Sequence, residues 1–306
     1  MAEPTICAVI VDYRKAARVV QNVRSLRRQQ TAERLDIVVI DNSVDPANAR
    51  ILRALDDEPG VRLVVNDTNT GYTAACNQGA ALGRGAFVLL VNPDILWADP
   101  GALERLAAFM RSRPDVAVAG PRQVNEDGTV PRTARRFPNV LAQCARRSPL
   151  GRLPGLAGSV GRYEAADLDY GRTQPVDWLQ SSCVLVRRDF WDGTGGLDER
   201  YFLFMADCVL CWQAWDRGLE VVHFAEATVT ADGIRASAGG PLALFRNPAA
   251  RHHLRDAFLY HLQYLGRHPA GRSPMEPKPT ASLAMAPLQD AEPGAGEIAK
   301  QGAPAP

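Results

Sequence analysis

Through the first third of the chain, short β-branched runs alternate with amphipathic stretches, and few architectures accept that rhythm. The runs Ile6 to Val11, Ile37 to Ile40, Val61 to Val65, Phe87 to Val91 and Val116 to Ala119 read as strands. Between them Ala16 to Leu26, Ala47 to Leu55, Thr73 to Leu82 and Leu103 to Met110 read as helices. Strand and helix in strict turn call for an α/β fold, a mostly parallel sheet covered on both faces. In such sheets ligands bind beyond the carboxyl ends of the strands. The residues there are Asp12 and Tyr13, Asp41 and Asn42, Asn66 to Gly71, and Asn92 to Asp94.

Bulk properties narrow the function. With 46% hydrophobic and 23% charged residues, 306 positions are enough to bury a large core. The formal net charge of +1 gives no global field for nucleic acid, so any charge-driven binding is local. The apolar runs fall far short of the roughly 20 residues that span a bilayer, and the start lacks a signal pattern. A cytoplasmic protein is expected. Cys7, Cys76, Cys144 and Cys183 fall at core-type positions and read as reduced thiols, and Cys208 with Cys211 as a helical core pair.

The alternation stops near Pro121. From Gly128 to Tyr163 the chain holds seven arginines and no acidic residue. This basic segment is either a solvated loop or an arm that meets a diphosphate or an anionic acceptor at the inner face of the plasma membrane. Regular structure resumes with Val176 to Arg188, read as one strand, then a Gly-Thr-Gly-Gly turn, a helix from Asp207 to Arg217 and a strand from Leu219 to Phe224. A last helix spans Ala249 to Leu265, and a Pro-, Ala- and Gly-rich tail follows. The expected division is a main domain over 1–240, a helical extension over 241–267 and a disordered tail over 268–306.

Two carboxylates stand out. Asp94 ends Asn92-Pro93-Asp94 just after an apolar strand, where it either holds a hard divalent ion against a leaving diphosphate or simply makes the turn. Asp207 stands beside Tyr201, Phe202 and Phe204 at a helix start, where it is either a cap or a desolvated general base. Asp41 could face a nucleobase edge or serve a turn. His252, His253 and His261 read as packing residues of an amphipathic helix.

Taken together, Val9-Ile10-Val11-Asp12-Tyr13, Val38-Val39-Ile40-Asp41-Asn42-Ser43, Asn69-Thr70-Gly71-Tyr72 through Asn77-Gln78-Gly79, and Leu89-Leu90-Val91-Asn92-Pro93-Asp94 resemble the family 2 glycosyltransferases. Arg135-Arg136-Phe137-Pro138, Gly195-Gly196-Leu197-Asp198-Glu199 and Phe202 through Asp207, followed by Leu210-Cys211-Trp212, resemble its bacterial rhamnosyltransferase branch. The resemblance implies a GT-A fold and an inverting hexosyltransferase. It implies Asp207 as the base, Mg or Mn at Asp94, and nucleotide contacts from Val11, Tyr13, Asp41, Asn69, Gly71 and Asn77. Trp178, Asp198 and Trp212 are expected to position the acceptor. The implied donor is dTDP-rhamnose, with UDP-sugars and GDP-mannose open, and the acceptor is a glycan or lipid-linked hydroxyl of the cell envelope; a homodimer is open.

Three positions depart from the family pattern. Ala206 and Val209 stand where relatives carry acidic residues, and Thr230-Ala231-Asp232-Gly233 stands where relatives often place a histidine. Asp232 is the expected substitute ligand. The same departures keep open a non-catalytic sugar-nucleotide binder, and the strand-helix start keeps open a nucleotidyltransferase.

Overall fold

In the computed structural model, which describes residues 6–146, 153–233 and 248–271, the expected alternation becomes a sheet. Strands β1 (Ile6–Asp12), β2 (Leu35–Asp41), β3 (Val61–Val65) and β4 (Phe87–Val91) are separated by helices α1 (Ala16–Arg27), α2 (Pro46–Leu52) and α3 (Tyr72–Leu82). They lie in the order β3-β2-β1-β4, all parallel, with Val9 level with both Val38 and Leu90. Every residue of β1 and β4 is buried, as expected of strands covered on both faces.

Side chains alternate between two cores. Cys7, Val9 and Val11 join Val38, Ile40 and Leu90 beneath α3, while Ile6, Ala8 and Ile10 join Ile37, Val39 and Leu89 beneath α1. Helix α3 comes so near β1 that a Cβ at Gly79 would stand 2.4 Å from a methyl of Val9, so only glycine fits.

The remaining elements are β5 (Ile95–Leu96), α4 (Ala102–Ser112), β6 (Val116–Asn125), β7 (Ala134–Arg135), α5 (Val140–Arg146), α6 (Pro154–Tyr163), β8 (Gln174–Pro175), β9 (Trp178–Leu179), β10 (Cys183–Arg187), α7 (Arg188–Thr194), α8 (Ala206–Asp216), β11 (Glu220–Ala231) and α9 (Pro248–Tyr264). Strand β10 lies antiparallel between β4 and β6; β11 runs parallel to β6 and carries β5 and β8 antiparallel. The sheet is therefore mixed beyond β4. Strands β7 and β9 form a separate pair.

Four expectations need correction. Strand β6 does not end near Pro121 but runs on to Asn125, because β11 breaks register between Phe224 and Thr228, opposite Pro121 and Arg122. Proline has no N–H to give the ladder, so the irregularity falls where a bond was already missing. The run Val176 to Arg188 is not one strand: β9 and β10 are parted by Gln180 to Ser182. A helix the periodicity did not reveal, α7, takes up the first half of the Gly-Thr-Gly-Gly turn and ends on Gly195 in the left-handed conformation (φ 77°). The basic segment 128–163 is largely structured where described, forming β7, α5 and α6.

Helix α9 packs the buried Tyr260 into the core beneath α3. The described residues all fall in one unit. The boundary expected at residue 240 and the tail beyond 271 lie outside the described residues. Cys7, Cys76, Cys183, Cys208 and Cys211 are buried free thiols, and burial pushes Cys7 up to about 11. Among the described residues no helix is long and apolar enough to cross a membrane.

Candidate active site

The pairing of β5 with β11 sets Ile95 opposite Ala231 and so brings two carboxylates that are remote in sequence, Asp94 and Asp232, side by side. Both are shielded, with side chains 16% and 3% exposed. Lys15, at the start of α1, places its ammonium 3.7 Å from Asp94 Oδ1 and 3.6 Å from Asp232 Oδ2. Burial raises the Asp94 carboxyl above the usual carboxylate range, while Lys15 draws it down and Asp232 pushes it further up. The pair thus already holds a cationic group between hard oxygen donors, which suits a divalent ion. Among the described residues no three His, Cys, Asp or Glu side chains gather as a metal site. An ion at this pair would take its other oxygens from a ligand or water.

Asp207 comes to the site from a different element. It lies in the first turn of α8, after Met205 in the left-handed region (φ 71°), a conformation strained for a side-chain-bearing residue. Its Oδ2 accepts the Ser181 N–H at 3.1 Å, and its Oδ1 the Cys208 N–H at 2.9 Å. The interruption between β9 and β10 therefore serves a purpose, since it presents Ser181. Burial raises the Asp207 carboxyl above its ordinary range, opposed by the Ser181 and Cys208 amides. A raised carboxylate is a stronger base once ionised.

Asp94 and Asp207 line one cavity of about 390 Å³. Its wall also holds Tyr72, Gln123, Trp178, Ser181 and Phe204, and on one side Arg132 and Arg135. Trp178 is fixed by its Nε1–H donating to the Arg136 carbonyl at 2.9 Å. Arg136 itself turns away to a two-point ion pair with Asp167, and Arg132 reaches Glu164 at 2.9 Å. The acids that balance the basic segment lie immediately after it in sequence, which is why the segment alone looked unpaired.

Beside the cavity, the ends of β1 and β2 hold a second polar group. Asp12 and Asp41 are fully buried and share the Asn48 amide, at 2.5 and 3.2 Å. Asp41 Oδ1 also accepts the Ser43 N–H, while its buried Oδ2 has no hydrogen-bond partner among the described residues. Asn42 donates to the Gly71 carbonyl at 2.9 Å, and Asn69 Oδ1 accepts the Gly71 N–H. Gly71, at φ 86°, lies under Phe202, where a Cβ would stand 2.7 Å from ring and carbonyl. Val11 is buried in the core and Tyr13 is 54% exposed at the rim.

Of the expected residues Asp94, Trp178 and Asp207 line the cavity and the other nine do not, three of them serving the framework instead. Asn77 ties α3 to the turn after α7, donating to Leu197 O and accepting from Leu197 N. Asp198 pairs with Arg200 within that same turn. Trp212 is buried between Phe137 and Tyr264. His252 and His253 lie against the Phe202 and Phe204 rings, and His261 bonds Gln143. Lys15, Ser181 and Gln123 were missed. A lysine three residues past a strand end was the one available signal, whereas Ser181 sits in a stretch that reads as one continuous strand and Gln123 lies past the expected end of another.

The departures from the family pattern also find their places. Ala206 and Val209 are buried in the core beneath α3, so Asp94 and Asp207 are the acidic residues of the cavity wall. Ala231 closes the ladder to β5.

The model of glycosyl transferase family 2 matches residues 7–164, half of the chain, including Asp41 and Asp94. The chain belongs to glycosyl transferase family 2. This glycosyltransferase-family chain is 33% identical over 165 residues to the N-acetylglucosaminyl-diphospho-decaprenol L-rhamnosyltransferase of Mycobacterium tuberculosis, covering 50% of this chain and 53% of that one. It is 26% identical over 211 residues to a low-salt glycan biosynthesis hexosyltransferase of Haloferax volcanii, covering 67% and 60%. It thus spans about half to three fifths of these relatives' length. Its fold is the GT-A fold. The mannosyltransferase PcManGT of Pyrobaculum calidifontis, solved with GDP-Man and Mn2+, superposes at TM-score 0.56 with 14% identity, covering 90% of this chain and 67% of that one. TarS of S. aureus with UDP gives 0.53 with 15% identity, over 74% and 60%.

Proposed function

We propose that this family 2 chain is an inverting glycosyltransferase that moves a sugar from a nucleoside diphosphate to the hydroxyl of a lipid-linked or glycan acceptor. The observation that carries the reading is the shared cavity: Asp94, with Asp232 beside it, and Asp207 line the same space. One carboxylate group suits a cation and a diphosphate, the other a proton.

In this reading Asp94 and Asp232 hold Mg or Mn, which when bound neutralises charge developing on the departing diphosphate. Asp41 Oδ2, buried and without a partner, accepts an N–H from the nucleobase, beside the frame of Asn42, Asn69 and Gly71. Ser181 and the Cys208 amide fix the Asp207 carboxylate so that it can take the acceptor's hydroxyl proton. The oxygen forms its bond to the anomeric carbon as the bond to the diphosphate oxygen breaks, and the bonding pair leaves with the diphosphate. Attack from the face opposite the leaving group inverts the centre.

The Mycobacterium tuberculosis relative, whose name specifies L-rhamnose and a diphospho-decaprenol acceptor, supports dTDP-rhamnose as donor and a polyprenyl diphosphate sugar as acceptor. GDP-mannose and UDP-sugars are the competing donors. Arg132 and Arg135 on the cavity wall suit an acceptor carrying phosphate.

The test is transfer with Mn2+ and each donor, followed by free nucleoside diphosphate. Wild type releases nucleoside diphosphate, and Asp207→Asn loses 10²- to 10⁴-fold in kcat, in the range of about one general base. Binding without turnover in wild type overturns the catalytic reading in favour of a binder, and pyrophosphate as product in favour of a nucleotidyltransferase.

A further inference from the structure

Among the described residues, helix α9 is held to the body by one side only. Tyr260 is buried, Asp256 is fully buried, and His253 reaches the cavity wall. The opposite side carries Leu254, Phe258 and Leu262, respectively 58%, 66% and 72% exposed, and Leu265, 69% exposed, follows just past the helix end. Spacings of four residues put the three helical side chains in one stripe along just over two turns. The other exposed large apolar side chains are scattered along the chain, so this is the one place among the described residues where such side chains form a row.

Charge says what the stripe meets. Arg251 and Arg267 are exposed around it, while Arg255, also exposed, turns its guanidinium inward to Asp256 and the Arg200 carbonyl. The only acid between residues 248 and 271 is Asp256, and it is turned inward, accepting the Phe202, Leu203 and Phe204 amides. The outer face is thus apolar and cationic with no carboxylate, the composition of a helix that lies in the interface of an anionic bilayer. A second copy of this face would repel it by setting arginine against arginine. We propose that α9 docks the protein on an anionic lipid surface, with the stripe sunk among the acyl chains and the arginines among the headgroups.

Because His253 and the stripe sit on neighbouring sides of the same helix, docking would bring the cavity to the membrane surface, where a lipid-linked acceptor resides. The docking goes beyond the catalytic reading and is measured without sugar nucleotide, so either can fail alone.

The experiment is sedimentation of the full chain with vesicles of phosphatidylglycerol and phosphatidylcholine, or phosphatidylcholine alone. Wild type is expected to pellet with the anionic vesicles and to release as salt rises. Arg251→Ser with Arg267→Ser weakens binding on the order of 30-fold, and Phe258→Ser with Leu262→Ser by at least that much. Thermal melting and transfer to a short soluble acceptor show that both variants stay folded. Wild type that ignores anionic vesicles, or serine variants that bind as well as wild type, overturn the proposal. So does a wild-type dimer that Phe258→Ser with Leu262→Ser dissociates. A photo-crosslinker at position 262 that captures residues 272–306 of its own chain rather than lipid overturns it as well.

Discussion

Lys15 is the residue with the most to say about how this site is loaded. Its ammonium lies within 4 Å of both Asp94 and Asp232, where a divalent ion would sit in the proposed mechanism. A fixed positive charge at about 4 Å opposes a divalent cation by about 2–8 kcal/mol, depending on how well water screens the pair. Lys15→Met should therefore tighten Mn2+ binding to the nucleotide-free protein by tenfold or more, read by electron paramagnetic resonance. The side chain is 37% exposed and makes no cap to α1, so the variant should fold normally. Unchanged affinity would show that the lysine yields its place at no cost.

Asp207 makes a different prediction, in pH. Its folded pKa is raised by burial, so as pH falls the carboxylate protonates earlier than a free one would. The acid limb of kcat should lie above the ordinary Asp value of about 3.9 and vanish in Asp207→Asn. An acid limb at or below that value would remove Asp207 from the base's role. Asp207 and Asp94 were legible in the sequence because each follows an apolar run in a motif of several residues. Asp232 was read as a ligand but its neighbours were not, since the β5 and β11 pairing sets it beside Asp94 and the start of α1 delivers the missed Lys15 to both.

At the scale of elements, α9 acts as a clamp on the cavity wall through Asp256. That carboxylate is fully buried and accepts amides of Phe202 at 3.3 Å and of Leu203 and Phe204 at 3.0 Å. Leu203, Phe204 and Met205 line the cavity just before Asp207, so a side chain far along the sequence sets the loop that delivers the base. Asp256→Ala would orphan three N–H groups and should lower stability by about 3 kcal/mol, a fall in Tm of roughly 6–12 °C. Asp256→Asn, which keeps one acceptor oxygen, should fall less. If kcat drops in Asp256→Asn while KM for the donor holds, the clamp positions Asp207 rather than the nucleotide. Periodicity gave α9 its place and length but not this role, because an acid in a polar-looking helix reads as solvated. The same limit hid α7 and the β9–β10 break, where a continuous apolar run concealed a change of direction.

At the scale of the molecule, the sheet divides the labour. Its parallel half, β3-β2-β1-β4, reads directly from sequence because each strand carries a short apolar, β-branched run between helices. Its mixed half, built on β10, β6 and β11, depends on pairings between segments far apart, which no local pattern encodes. The two carboxylate groups straddle this division: Asp94 follows β4 of the parallel half, while Asp207 precedes β11. A ligand that bridges them should therefore couple the halves and raise the melting temperature of the whole unit. A donor nucleoside diphosphate with Mn2+ at a hundred times its Kd adds about 2.7 kcal/mol to the folded state, a rise of roughly 5–11 °C. Either component alone should give less, because Lys15 opposes the free ion and the free diphosphate faces two carboxylates. Equal shifts with Mn2+ alone and with the pair would mean that the ion and the nucleotide do not meet at Asp94, and would detach the diphosphate from this end of the cavity.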